Sequence, residues 1–122
     1  MNKEEITIAG LIKLIESGEG KNIRWRKWQL AQLFGVYEST VRANIKFIIK
    51  SNIVKPDYHS TLVQTGGILL PEVYSLDMII ALAFRIDSAN ASKLREWIMT
   101  KLFVKKNNIL IHIGLDNLQF LN

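Results

Sequence analysis

The chain contains no cysteine, which removes disulfide frameworks, thiolate metal sites and cysteine nucleophiles at once and fits a reducing cytoplasm. Its two histidines, His59 and His112, have no second histidine or acidic residue at ligand spacing, so no metal is expected. Long hydrophobic runs are also missing. The densest apolar stretch, Met78 to Phe84, falls far short of the roughly 20 residues that a membrane-spanning helix needs. The N-terminus, MNKEEITIAGLIKL, lacks the basic start, continuous apolar run and small-residue cleavage site of a signal peptide. These absences together predict a soluble cytoplasmic protein with no membrane partner.

Motifs for catalysis are missing as well. There are no paired carboxylates at useful spacing, no Gly-x-Ser-x-Gly, no zinc motif and no histidine-led loop of the form HPFxxGNGR. The pair Gly66-Gly67 is not followed by the Lys and Ser/Thr that complete a phosphate-binding loop. Neither an enzyme nor a bound cofactor is expected.

Acidic charge is nearly absent from one segment. Residues 21 to 55 carry Lys21, Arg24, Arg26, Lys27, Arg42, Lys46, Lys50 and Lys55 against Glu38 alone, a net charge of +7 in a protein whose total is +5. Such a block suits a polyanion, because each phosphate neutralised by Lys or Arg releases condensed counterions. A solvated basic face is the plainer explanation of the same charge.

The basic block holds LAQLFGVYESTVRANIKFI, beginning at Leu30. Two helices that cross over a short turn need a small residue at their closest approach, a turn residue that tolerates positive φ, and an apolar anchor on the second helix. Ala31, Gly35 and Val41 fill those positions. Leu30, Leu33 and Phe34 supply the buried side of the first helix. At roughly 100° per residue, Val41, Ile45 and Ile48 fall on one side of the second helix, and Ser39, Arg42, Ala43, Lys46 and Lys50 on the other. Short hydroxyl and methyl groups there permit close approach, while arginine and lysine reach guanine edges or phosphates. The pattern predicts a helix-turn-helix over about residues 27–50 that binds double-stranded DNA. Ser39, Thr40, Arg42 and Lys46 would approach bases, and Arg24, Arg26, Lys27 and Lys50 would hold phosphates. Glu38 suits the start of a helix dipole but repels phosphate, unless it accepts a hydrogen bond from a cytosine amino group.

Beyond Ser51-Asn52, which ends the second helix with Pro56 close behind, STLVQTGGILLPEVY reads as a hairpin over about residues 60–74. Its tip is polar but uncharged, and Pro71 confines the second strand to an edge or bulge position. Ser75 starts a helix that is apolar on nearly every side, and Asp87-Ser88 starts another. In that second helix Leu94, Trp97, Ile98 and Leu102 form one apolar face, with Trp97 as a core anchor, while Lys93, Arg95, Lys101 and Lys105 project elsewhere. These two packed helices make a helical half over about residues 75–104. Ile8, Leu11, Ile12 and Ile15 mark an amphipathic helix over residues 5–17. The apolar stretch over about residues 108–122 reads as a strand followed by a turn of helix, or as a dimer arm. With 48% hydrophobic residues, the chain leaves apolar surface that a second subunit would cover, so a homodimer is expected. The whole reads as a single domain, mainly α with a small β-hairpin: a winged helix-turn-helix-like domain followed by two packed helices.

Those residues also resemble the RhuM-type virulence-associated family of bacterial genomes and mobile elements. Its signature runs MAELFG…STI…HI, then YYNLDVIISVGYRVNS, then FRQWA. Here LAQLFG (30–35), STV (39–41), NI (44–45), VYSLDMIIALAFRIDS (73–88) and LREWI (94–98) follow in the same order. The resemblance implies a DNA-binding-like domain and a transcriptional or mobile-element regulator. This sequence departs from the family at both helix cap slots, usually Ser, Thr or Asp, which hold Arg26 and Tyr37. Losing such a cap typically weakens a helix by about 1 kcal/mol, and both replacements suit contact with phosphate or sugar. The segment before the motif reads as helix rather than the family's strands, and the longer C-terminal region of larger members has no counterpart here. The competing expectation is a protein–protein interaction module with a degenerate helix-turn-helix and no DNA activity.

Overall fold

The computed structural model describes residues 5–55, 62–65 and 68–113. Among them the chain is mainly helical, in the order α1 (Ile8–Glu16), a 3-10 turn (Gly20–Asn22), α2 (Lys27–Phe34), α3 (Glu38–Lys50), strands β1 (Leu62–Thr65) and β2 (Ile68–Pro71), α4 (Leu76–Ala83) and α5 (Ala89–Ile113). His59, Pro56 and the Gly66-Gly67 hairpin tip lie outside the described residues, as does the side chain of His112. No described helix is long and apolar enough to cross a membrane.

Local chemistry sets most helix starts. The Thr7 hydroxyl accepts from the Gly10 N–H at 3.0 Å and caps α1, and the Ser88 hydroxyl accepts from Ala91 N–H at 3.1 Å to start α5. Ser75 occupies the N-cap of α4, but its hydroxyl turns to the Asp77 carboxylate, which itself accepts from Met78 N–H. α3 ends on Ser51, followed by Asn52 in the left-handed region at φ 57°, with Ile53 N–H returning to Ile48 C=O.

One continuous core joins these elements. Leu11 of α1, Leu30, Leu33 and Phe34 of α2, Val41, Ile45 and Ile48 of α3, Leu70 of β2, Ile79 and Leu82 of α4, and Leu94 of α5 are all fully buried. α2 packs on α3 and α5, and α4 packs on α3 and α5, so the first helix pair is fixed against the last two helices. Trp97 and Ile98 are partly buried against that core.

The hairpin is antiparallel, with Leu62 opposite Pro71 and Thr65 opposite Ile68. Pro71 closes the ladder at the end of β2, where its missing N–H costs least. The hairpin is also tied to the start of the helix pair. Trp25 and Tyr74 exchange both backbone hydrogen bonds, at 2.9 and 2.7 Å, and the Arg26 guanidinium pairs with the Glu72 carboxylate. The Tyr74 ring is buried, its hydroxyl has no partner among the described residues, and burial raises its pKa to about 12.

One sequence expectation is corrected and two are sharpened. The stretch beginning near residue 108 is not a strand: α5 continues unbroken to Ile113, while residues 114–122 lie outside the described residues. Leu102 lines one groove with Leu94, Trp97 and Ile98, as their spacing implies, but is itself 57% exposed. α5 has 25 residues against nine in α1 and eight in α4. At about 1.5 Å per residue it is much longer than either, and beyond Ile98 the described side chains of Met99, Leu102 and Phe103 are exposed. Arg95, off that apolar face, is half-buried. Its Nη1 donates to Ala83 C=O at 2.7 Å and Ile86 C=O at 2.9 Å, at and just beyond the C-terminal end of α4.

Candidate nucleic-acid interface

The geometry of α2 and α3 is set by the turn between them. Gly35 stands in the left-handed conformation, φ 66° and ψ 41°. Its N–H donates to Gln32 C=O at 3.3 Å, and Val36 N–H donates to Ala31 C=O at 3.0 Å, the paired bonds of a Schellman ending. From α5, Asn90 Nδ2 donates to Leu33 C=O at 3.0 Å and satisfies another carbonyl of the last turn of α2. The small residue at the approach, Ala31, and the anchor, Val41, are both buried.

Arg26 and Tyr37 occupy the N-cap positions of α2 and α3, and neither side chain caps its helix. Arginine has no acceptor atom and cannot do so. At α2 half of a capping box remains, with Arg26 N–H donating to Gln29 Oε1 at 2.8 Å. Tyr37 keeps its ring 83% exposed at the start of α3, beside the exposed Glu38.

The outer side of α3 presents Ser39, Arg42, Ala43 and Lys50 to solvent, with Thr40 and Lys46 half-buried. Of the expected base-reading residues, Ser39, Arg42 and Lys46 therefore share one helix surface, while Thr40 lies at least about 100° around the helix from each of them, toward the flank. The expected phosphate-holding residues are distributed differently. Lys50 lies on α3 and Lys27 is half-buried at the start of α2. Arg24 folds back on its own loop, its Nη1 donating to Ile23 C=O at 2.7 Å and Lys21 C=O at 3.3 Å. Arg26 is engaged by Glu72 on the hairpin side. Arg24 and Arg26 thus hold the approach to α2, whereas the α3 surface relies on Arg42, Lys46 and Lys50.

The sequence reading missed one cation at this surface. Arg85, from the α4–α5 connection, lies against α3: its Cζ is 3.7 Å from the centroid of the Phe47 ring, and its Nε donates to Asn44 Oδ1 at 3.0 Å. Forty-one positions separate Arg85 from Asn44, and no local spacing signals such a contact.

An apolar groove of about 210 Å³ lies elsewhere, between α1, α4 and α5, lined by residues including Leu11, Ile80, Trp97 and Leu102. Its ionisable lining side chain, Lys101, is paired with Glu16. Among the described residues, no three or more His, Asp or Glu side chains gather where they could hold a metal ion. Compared with known proteins, the chain matches no family model, no curated protein and no solved structure.

Proposed function

We propose that this protein binds double-stranded DNA sequence-specifically through α3 and acts in the cytoplasm as a homodimeric regulator of transcription or of a mobile element, as the RhuM-type resemblance implies. In this reading α2, the Gly35 turn and α3 are a helix-turn-helix, the β1–β2 hairpin is its wing, and catalysis plays no part. The observation that carries it is the outer surface of α3, where Ser39, Arg42, Ala43, Lys46 and Lys50 share one side of a helix whose other side is fixed in the core. A helix with its side chains is about 10–12 Å across and fits a major groove about 12 Å wide.

The test is anisotropy titration against a pool of random duplexes at two salt concentrations, with selection of the preferred sequence. Arg42→Ala is expected to change the preferred sequence and to cost about 1–3 kcal/mol on the original site. Affinity independent of salt, or an unchanged preference in the variant, would refute base reading by α3.

In this reading a second subunit covers exposed apolar residues of α5, Met99, Leu102 and Phe103, each more than half exposed, of which Leu102 lines the groove. Lys101, which lines the groove, is paired with Glu16 at 3.6 Å, both side chains being well solvated. Leu102→Asp is expected to shift the protein from two chains to one in sedimentation equilibrium while leaving its circular dichroism unchanged. A wild-type protein that is monomeric at every concentration would remove the dimer from the proposal. The same exposed side chains favour the competing reading, a protein-interaction module, and that reading gains if the wild type ignores duplex DNA at low salt.

A further inference from the structure

We infer that Arg85 is a DNA-backbone contact: it grips a phosphate on the flank of α3 opposite Arg42 and Lys46, so that the reading helix carries cations on both sides. This rests on the DNA-binding reading of α3.

The residue is held at its backbone and at two points of its side chain. Its backbone N–H donates to Leu82 C=O at 3.0 Å at the end of α4, its guanidinium lies on the Phe47 ring, and its Nε donates to Asn44. Asn44 is itself oriented, since its Nδ2 donates to Thr40 C=O at 2.8 Å. Stacking and the Nε bond leave the two terminal NH2 groups of Arg85 without a partner among the described residues, and the residue is exposed. A guanidinium fixed in this way needs no further ordering to present its fork to a phosphate.

A purely structural tie between α4 and α3 is a poor explanation of the arrangement. Exposed stacking of a cation on phenylalanine is a weak tie, and a carboxylate partner would hold the side chain more firmly. Asp87, two residues further on, forms no ion pair with it among the described residues. Position on the helix supplies the other half of the argument. At roughly 100° per residue, Asn44 and Phe47 lie within about 60° of each other, across the Ser39–Ala43–Lys50 ridge from Arg42 and Lys46. A helix seated in the major groove meets a phosphate backbone on each side. The base-approaching Arg42 and Lys46 lean toward one of them, and Arg85 serves the other.

The experiment is anisotropy titration of a fluorescein-labelled mixed-sequence duplex with the full chain, as a function of salt, for wild type, Arg42→Ala, Arg85→Ala and Arg85→Lys. Arg85→Ala is expected to weaken binding roughly five- to tenfold at 0.1 M salt and to reduce the slope of log K against log salt by about one, equally on all sequences. Arg85→Lys, which keeps the charge but loses the stacked fork, should retain the slope and fall between the two in affinity. A melting temperature close to wild type for either variant separates this loss from unfolding. If wild type binds and Arg85→Ala matches it in affinity and slope, the inference is overturned while the reading of α3 stands. If wild type does not bind the duplex at low salt, both fall together.

Discussion

Phe34→Ala should be the most damaging single truncation in this protein, lowering stability by about 3–5 kcal/mol. Phe34 ends α2 with no exposed surface, inside the cluster where α2 and α3 meet the later helices. Removing its ring deletes the burial free energy of the largest fully buried side chain and leaves a cavity that surrounding helices cannot close. Small domains hold a total of about 5–15 kcal/mol, so the variant would sit near the limit of folding. Urea unfolding followed by circular dichroism reads the effect as a lower midpoint at unchanged slope, with a melting temperature down by about 10–20 °C. Phe84→Ala is the internal comparison. The same residue type at the end of α4 is 49% exposed, and its truncation should cost less than about 1.5 kcal/mol. Equal losses from the two would mean that burial does not govern stability here.

Gly35→Val is expected to have the second largest effect, and to act on function as well as stability. At φ 66° a β-branched side chain is strained, at a cost of about 1–3 kcal/mol. A Cβ at Gly35 would also lie 3.3 Å from Asn90 Nδ2, which must then give way and loosen its bond to Leu33 C=O. The backbone relieves the strain only by leaving the left-handed region, and that re-aims α3 relative to α2. Gly35→Val should therefore melt lower and lose DNA affinity by more than its loss of folded protein explains. Gly35→Asn should do neither to the same extent, because asparagine tolerates this conformation. Wild-type stability in Gly35→Val would show that the turn does not need a left-handed residue.

Much of the first half of the chain was legible because its signals are local. The spacing of Ala31, Gly35 and Val41 located α2 and α3, since turn chemistry and helical periodicity act over a few residues. The hairpin registered through Leu62–Thr65 and Ile68–Pro71 was likewise legible from two β-prone runs around a glycine pair. The end of the chain was harder. ILIHI carries the β-branched residues of a strand, yet the helix started by Ser88 runs on to Ile113. Extending an existing helix fixes one residue at a time, at a propensity cost of at most about 0.7 kcal/mol for each ordinary residue, whereas a strand needs a partner.

What the sequence determined by itself is a basic, mainly helical chain with a glycine-cornered helix pair whose polar and cationic residues share one side. Periodicity and composition suffice for that. Only the tertiary structure decided which cations remain at that surface. Arg26 is taken by Glu72, 46 positions away, Arg95 by the carbonyls ending α4, and Arg85 is brought onto α3 by Phe47 and Asn44. A long flexible cation has no local preference strong enough to fix its partner, so its place is settled by whichever acceptors and rings the packed helices bring within reach.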